Sequence, residues 1–129
     1  MRWMKRPGPA ATTTRARGAA AEELALAHLQ AAGLRLVARN YRTPGRGGGE
    51  IDLIVRDSDG TLVFVEVRSR ASSAQGGAAA SVAHAKQRRI VQAARHYLLR
   101  LPALPPCRFD VVAIDAGQVQ WLRAAFEAD

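Results

Sequence analysis

The chain has 129 residues, 48% apolar and 23% charged, with 19 Lys and Arg against 11 Asp and Glu for a net charge of +8. That length supports one domain able to bury roughly two-thirds of the surface its unfolded form exposes, and the composition excludes collagen-like, mucin-like and wholly disordered chains. Arg or Lys interrupts every apolar run well short of the ~18 residues of a membrane helix, Cys107 alone precludes an intramolecular disulfide or CxxC zinc site and fits a reducing cytoplasm, and the basic excess makes nucleic acid the first partner to expect.

Residues 1–17 hold Arg2, Lys5, Arg6, Arg15 and Arg17 without one acid, include Pro7 and Pro9 and show no periodicity. They lack the apolar core of a secretory signal and are expected to form a disordered basic arm ahead of a domain spanning 18–129. From Gly18 onward, Glu22, Ala25, Leu26, Leu29 and Ala32 recur at helical spacing, and Gly33 falls where a C-cap glycine belongs, predicting a first helix. Leu34, Leu36 and Ala38 alternate with Arg35, Val37 and Arg39, predicting a strand to about Tyr41, and Thr43–Gly48 is a loop.

Ile51–Arg56 and Leu62–Arg68 are rich in β-formers, and Asp57-Ser58-Asp59-Gly60 between them marks a hairpin turn. That turn lacks the length and terminal Glu of a calcium loop. Ala71–Gly77 is expected to be a flexible loop, followed by a long helix from about Ala79 to Leu101 that buries Val82, Ile90, Ala93, Tyr97 and Leu101. The Pro102–Pro106 cluster stops it. Phe109–Ile114 reads as a strand, Ala116-Gly117 as a turn and Val119–Leu122 as a short last strand. The order αβββαβ with a trailing strand implies an α/β sandwich: three antiparallel strands, a fourth returned beside them by the helix crossover, and a mixed sheet flanked by helices.

The chemistry concentrates on the hairpin. Strand parity places Glu50 and Asp52 on one face with Ile51 and Leu53 on the other, and Phe64, Glu66 and Arg68 on one face with Val63, Val65 and Val67 behind. Glu66 interrupts an unbroken run of strong β-formers, and a carboxylate inside a sheet costs several kcal/mol unless a cation, a metal or hydrogen bonds compensate it. Asp52 sits in similarly apolar surroundings on the adjoining strand. Two such groups repel, and a divalent cation resolves the repulsion. Magnesium or manganese takes oxygen ligands, so Asp52, Glu66, the carbonyl of residue 67 and Glu22, at the same helical phase as Ala25, Leu26 and Leu29, form a candidate set. A metal there would polarise a phosphodiester, and Arg68 would steady the charge on the phosphate. The alternative is a structural network in which the two carboxylates pair with Arg42, Arg68 or Arg70.

GEIDLI (Gly49–Ile54) followed by FVEVRSR (Phe64–Arg70) resembles the D…ExK motif of metal-dependent nucleases in the restriction-endonuclease-like superfamily. More closely, the chain resembles the YraN family of small uncharacterised bacterial proteins, which are similar to archaeal Holliday-junction resolvases. The features shared with that family are Gly18, Glu22, the Gly33 turn, Asn40-Tyr41-Arg42, Lys86, Arg108-Phe109-Asp110 and Ala125-Phe126, and they cover residues 18–127. The resemblance implies a restriction-endonuclease-like αβββαβ fold, Glu22, Asp52 and Glu66 as metal ligands, and a homodimer of the kind resolvases form on branched DNA.

One position departs from the pattern: the usual lysine of ExK is Arg68, which keeps its charge but cannot act as a general base. Lys86 lies four residues before Ile90, so its helical phase lets it reach the same site. With Arg42, Arg46, Arg70 and Arg89, it forms the basic surface expected to neutralise DNA phosphates. The sequence therefore points to a cytoplasmic, nucleic-acid-binding, metal-dependent endonuclease-like protein. The alternative from a different class is a non-catalytic nucleic-acid-binding module with a degenerate nuclease site.

Overall fold

The computed structural model describes residues 14–45, 48–70 and 82–128. Among them, helix α1 (Thr14–Ala31) leads into strands β1 (Arg35–Arg42), β2 (Glu50–Arg56) and β3 (Leu62–Arg70), then helix α2 (His84–Leu98), β4 (Cys107–Asp115) and β5 (Gln118–Phe126). The strands lie side by side in sequence order. β1, β2 and β3 form an antiparallel meander, β4 runs parallel to β3, and β5 turns back antiparallel to β4. A parallel neighbour cannot be reached by a tight turn, so the chain crosses over through α2. The mixed α/β sandwich expected from the element order is the architecture observed.

Each helix covers one face of the sheet. Ala25, Leu26 and Leu29 of α1 pack with Leu53, Val65 and Val112. Ile90, Ala93 and Tyr97 of α2 pack with Ile54, Phe64 and Phe109 on the opposite face. With both faces covered, the central strands must be apolar on both sides, which is why β3 reads as a near-continuous run of Val, Leu and Phe. Helix α1 ends as its glycine predicts. Gly33 takes φ +98°, its N–H bonds the Gln30 carbonyl at 3.0 Å, and the Leu34 N–H reaches back to Leu29 at 3.1 Å. Leu29 and Leu34 then close an apolar contact beneath that turn.

Several boundaries differ from the sequence expectation. Helix α1 starts at Thr14, four residues before Gly18, because Arg15, Ala16 and Ala19 favour helix and one glycine costs only about 1 kcal/mol. Residues 14–17 are therefore helical and not part of a disordered arm. Residues 1–13 and the Ala71–Gly77 loop lie outside the described residues. Helix α2 begins at His84, not Ala79, and ends at Leu98. Leu101 precedes Pro102 and is pushed away from helical dihedrals, so Arg100 and Leu101 close onto Tyr97 and Leu98 as tighter turns. Strand β5 runs nine residues, to Phe126, where only Val119–Leu122 was expected. A register shift between Phe109 and Val111 and the left-handed Ala124 (φ +51°) break its alternation, which hides the strand from a period-2 reading.

Candidate active site

The ladder between β2 and β3 runs from Arg56↔Leu62 to Leu53↔Val65. At the next position, the Asp52 carboxylate accepts the Val67 N–H at 2.8 Å, taking the place of a backbone carbonyl. The strict parity expected for β2 fails here: Ile51 packs in the α2 layer while Leu53 packs in the α1 layer. Neighbouring Asn40 on β1 adopts φ +50°, so both strands are irregular at the same level of the sheet. The break turns Asp52 towards Glu66. Their side chains share a hydrogen bond, and both carboxyls are raised above their ordinary pKa, chiefly by burial. Burial and the neighbouring Asp52 charge push Glu66 up to about 7 despite the attraction of Lys86. The Lys86 Nζ stands 3.1 Å from Glu66 Oε2, so the position four residues before Ile90 does bring this ammonium to the site.

Two acids are buried in the described core, Glu66 at 3% exposure and Asp110 at 0%. Both interrupt apolar strands, so they give the same signal in the sequence, but their surroundings differ. Asp110 receives Arg108 Nε on both oxygens at 3.1 Å, Trp121 Nε1 at 2.9 Å and the Ala124 N–H at 2.9 Å. Arg108 also reaches Asp57 at 3.1 Å and so ties the β2–β3 turn to β4. The Asp110 carboxylate is saturated and the cluster is structural, although Arg108 Nη2 is buried without a hydrogen-bond partner. Glu66 instead has one half-exposed lysine and a second carboxylate. A pair so short of positive charge is the donor chemistry that suits a hard divalent cation.

Glu22 faces the same region from α1. Burial and the Asp52 charge raise its pKa, while the Asn40 side chain donates to it and lowers it. The structure does not gather it with the pair: no group of three or more His, Cys, Asp or Glu placed to hold a metal occurs among the described residues. Arg68 is half-buried two positions along β3, level with Ala113 on β4. Arg42 pairs with Glu50 at 3.4 Å on the exposed β1–β2 edge. Arg89 is exposed on α2. Arg46 and the side chain of Arg70 lie outside the described residues. Asn40 and Gly49 carry roles that the sequence reading missed. An added Cβ at Gly49 would overlap the Arg89 carbonyl oxygen, so the glycine lets α2 descend onto β2 and bring Lys86 over Glu66. A Gly-rich loop gives no hint of which glycine is needed for close approach.

Among the described residues, no helix is long and apolar enough to cross a membrane. Residues 21–114 match the model of "Uncharacterised protein family UPF0102". A UPF0102 protein of Paracidovorax citrulli (strain AAC00-1) is 76% identical over 124 residues, covering 95% of this chain and 92% of the relative. One from Acidovorax sp. (strain JS42) is 72% identical over 118 residues, covering 92% and 89%. The matched span runs from α1 to the end of β4 and takes in Glu22, Asp52, Glu66 and Lys86. The chain belongs to the UPF0102 family, the YraN family that its motifs resemble.

Proposed function

We propose that this protein binds structured DNA and cleaves its phosphodiesters as a metal-dependent endonuclease. The observation that carries the reading is the Asp52–Glu66 pair, one partly buried and one buried carboxylate from adjacent strands that share a hydrogen bond at the point where the strands part. Asp52 and Glu66 would hold magnesium or manganese, with Glu22 adding negative charge from the α1 side. The ion, when bound, supplies Lewis acidity towards the phosphodiester and lowers the pKa of a water. The Val67 N–H fixes the Asp52 carboxylate. Lys86, anchored on Glu66 and half-exposed, presents an ammonium to a phosphate oxygen, and unlike Arg68 it can also exchange a proton. Lys86 thus supplies from α2 what the motif's lysine supplies from the strand. Arg68, Arg42, Arg46, Arg70 and Arg89 neutralise flanking phosphates. A cytoplasmic location and a homodimer on branched DNA go with this reading.

A second reading has its own support. The Lys86–Glu66 ion pair already neutralises part of the charge a metal would meet, and Arg68 stands where a lysine is usual, as in a binding module without turnover. Wild type, Glu66→Gln and Lys86→Met are compared on four-way-junction, flap, single-stranded and linear duplex DNA, with magnesium, manganese or chelator. The nuclease reading expects metal-dependent cutting that falls at least about a hundredfold in each variant. Salt-sensitive binding that survives chelator, with no cutting by any protein, would replace it with the binding module.

A further inference from the structure

A cavity of about 480 Å³ opens between the first turns of α1 and the β1–β2 edge, lined by Arg15, Gly18, Glu22, Asn40, Arg42 and Glu50. Its volume is that of a small-ligand pocket. Two of its lining residues, Gly18 and Ala19, have little or no side chain. Gly18 lines it, and a Cβ added there would meet nothing within 4 Å. The cavity lies beside the candidate active site, because Asn40 in its lining sits on β1 between the pairs Arg39↔Leu53 and Tyr41↔Ile51, level with Asp52.

The lining has two characters. Arg15 and Arg42 offer planar guanidinium groups suited to phosphate. Asn40 can donate and accept, while Glu22 and Glu50 accept hydrogen bonds from amino groups of the kind that bases carry on their pairing edges. Carboxylates would repel a bare phosphate backbone, so a site for duplex DNA alone has no use for them. A base already paired in a duplex presents neither its pairing edge nor a shape that enters such a cavity.

We infer that this cavity holds one unpaired nucleotide of the DNA strand lying across the Asp52–Glu66 site, its phosphate on Arg15 and Arg42 and its base edge on Asn40 and Glu50. The inference rests on the nucleic-acid reading above and adds to it the feature of the substrate that the protein selects. An unpaired nucleotide beside the scissile position occurs at a flap or a splayed junction and not in continuous duplex.

The test is fluorescence anisotropy with the full chain in chelator, where binding is independent of cutting. The probes are a labelled nicked duplex, the same duplex with a one-nucleotide flap at the nick, and that flap with an abasic sugar. Wild type is expected to bind the flap about tenfold more tightly than the nick, with most of the gain lost on the abasic flap. Gly18→Leu fills the cavity from an open helical position and should remove the preference while leaving affinity for the nicked duplex unchanged. Arg15→Gln, which does not alter the helix, should reduce it several-fold. Equal affinity of wild type for flap and nick would overturn the inference and leave the nuclease reading standing. A preference kept by both variants would overturn the assignment to this cavity. Failure to bind any of the three DNAs would overturn both readings.

Discussion

Glu66 is the residue on which fold and function make opposing demands. Its carboxyl sits at about 7 in the folded chain against an ordinary 4.5, so between those values the native state holds a proton that the unfolded state has released. Stability therefore falls as pH rises from about 4.5 to 7 and stays low above that, by a few kcal/mol at most. The raised carboxyl of Asp52 works in the same direction. Glu66→Gln removes one titrating group but keeps a side chain of the same shape, so its stability should fall less steeply than wild type across that window, with Asp52 alone contributing, and exceed wild type at pH 8. Urea unfolding at a series of pH values measures this, and superimposable profiles would show that Glu66 does not hold the proton. Magnesium at pH 8 should raise the wild-type midpoint and leave the variant unmoved, because a ligand bound only by the native state stabilises it by mass action. Asp110 carries no such tension, since arginine, indole and backbone N–H all satisfy its carboxylate.

The pairing of Lys86 with Glu66 depends on how closely α2 approaches β2, and Gly49 sets that distance. Gly49→Ala forces its Cβ into the Arg89 carbonyl, a backbone atom that cannot swing aside, and should cost about 1–3 kcal/mol. Gly18→Ala, at an open helical position, should be neutral or gain up to about 1 kcal/mol. Thermal unfolding of the two variants should move the midpoint in opposite directions, and a Gly49→Ala protein as stable as wild type would mean that the helix does not rest on this glycine.

These elements also show what the sequence could disclose. Glu22, Glu66 and Lys86 were legible because each is a charge at an apolar phase of a helix or strand, and Asp52 because it sits among apolar β-formers on the adjoining strand; that signal survives without a structure. The turn of Asp52 towards Glu66 was not, because it arises from irregular backbone shared by β1 and β2, and parity arithmetic assumes regular strands. The full length of β5 was hidden for the same reason, by a bulge that Asp110 stabilises through the Ala124 N–H. The saturated state of Asp110 was equally hidden, since its partners Trp121 and the Ala124 N–H come from another strand.

Taken as a whole, the molecule exposes cations and withdraws the carboxylates of its candidate site. Arg15 on α1, Arg35 and Arg42 on β1, Arg88, Arg89 and Arg95 on α2, and Arg100 in the turn beyond it are exposed, while Glu66 is buried and Asp52 and Glu22 are partly so. On the nucleic-acid reading, a polyanion would meet these exposed cations first, and the carboxylates would act only on the segment that they draw in. Binding of this kind releases counterions, so log K should fall linearly with log salt at about 0.9 per phosphate neutralised on duplex DNA. Arg2, Lys5 and Arg6 supply three of the eight net charges and lie ahead of α1, the helix whose first turns carry Arg15 and Gly18 beside the cavity. If they engage phosphates on that reading, replacing all three with Gln should make the slope shallower by about 2 to 3 without changing stability or the order of preference among DNA shapes. Anisotropy titrations of both proteins across a salt series provide the measurement. An unchanged slope would confine phosphate binding to the residues after them, leaving the exposed cations of α1, β1 and α2 to account for all of the attraction.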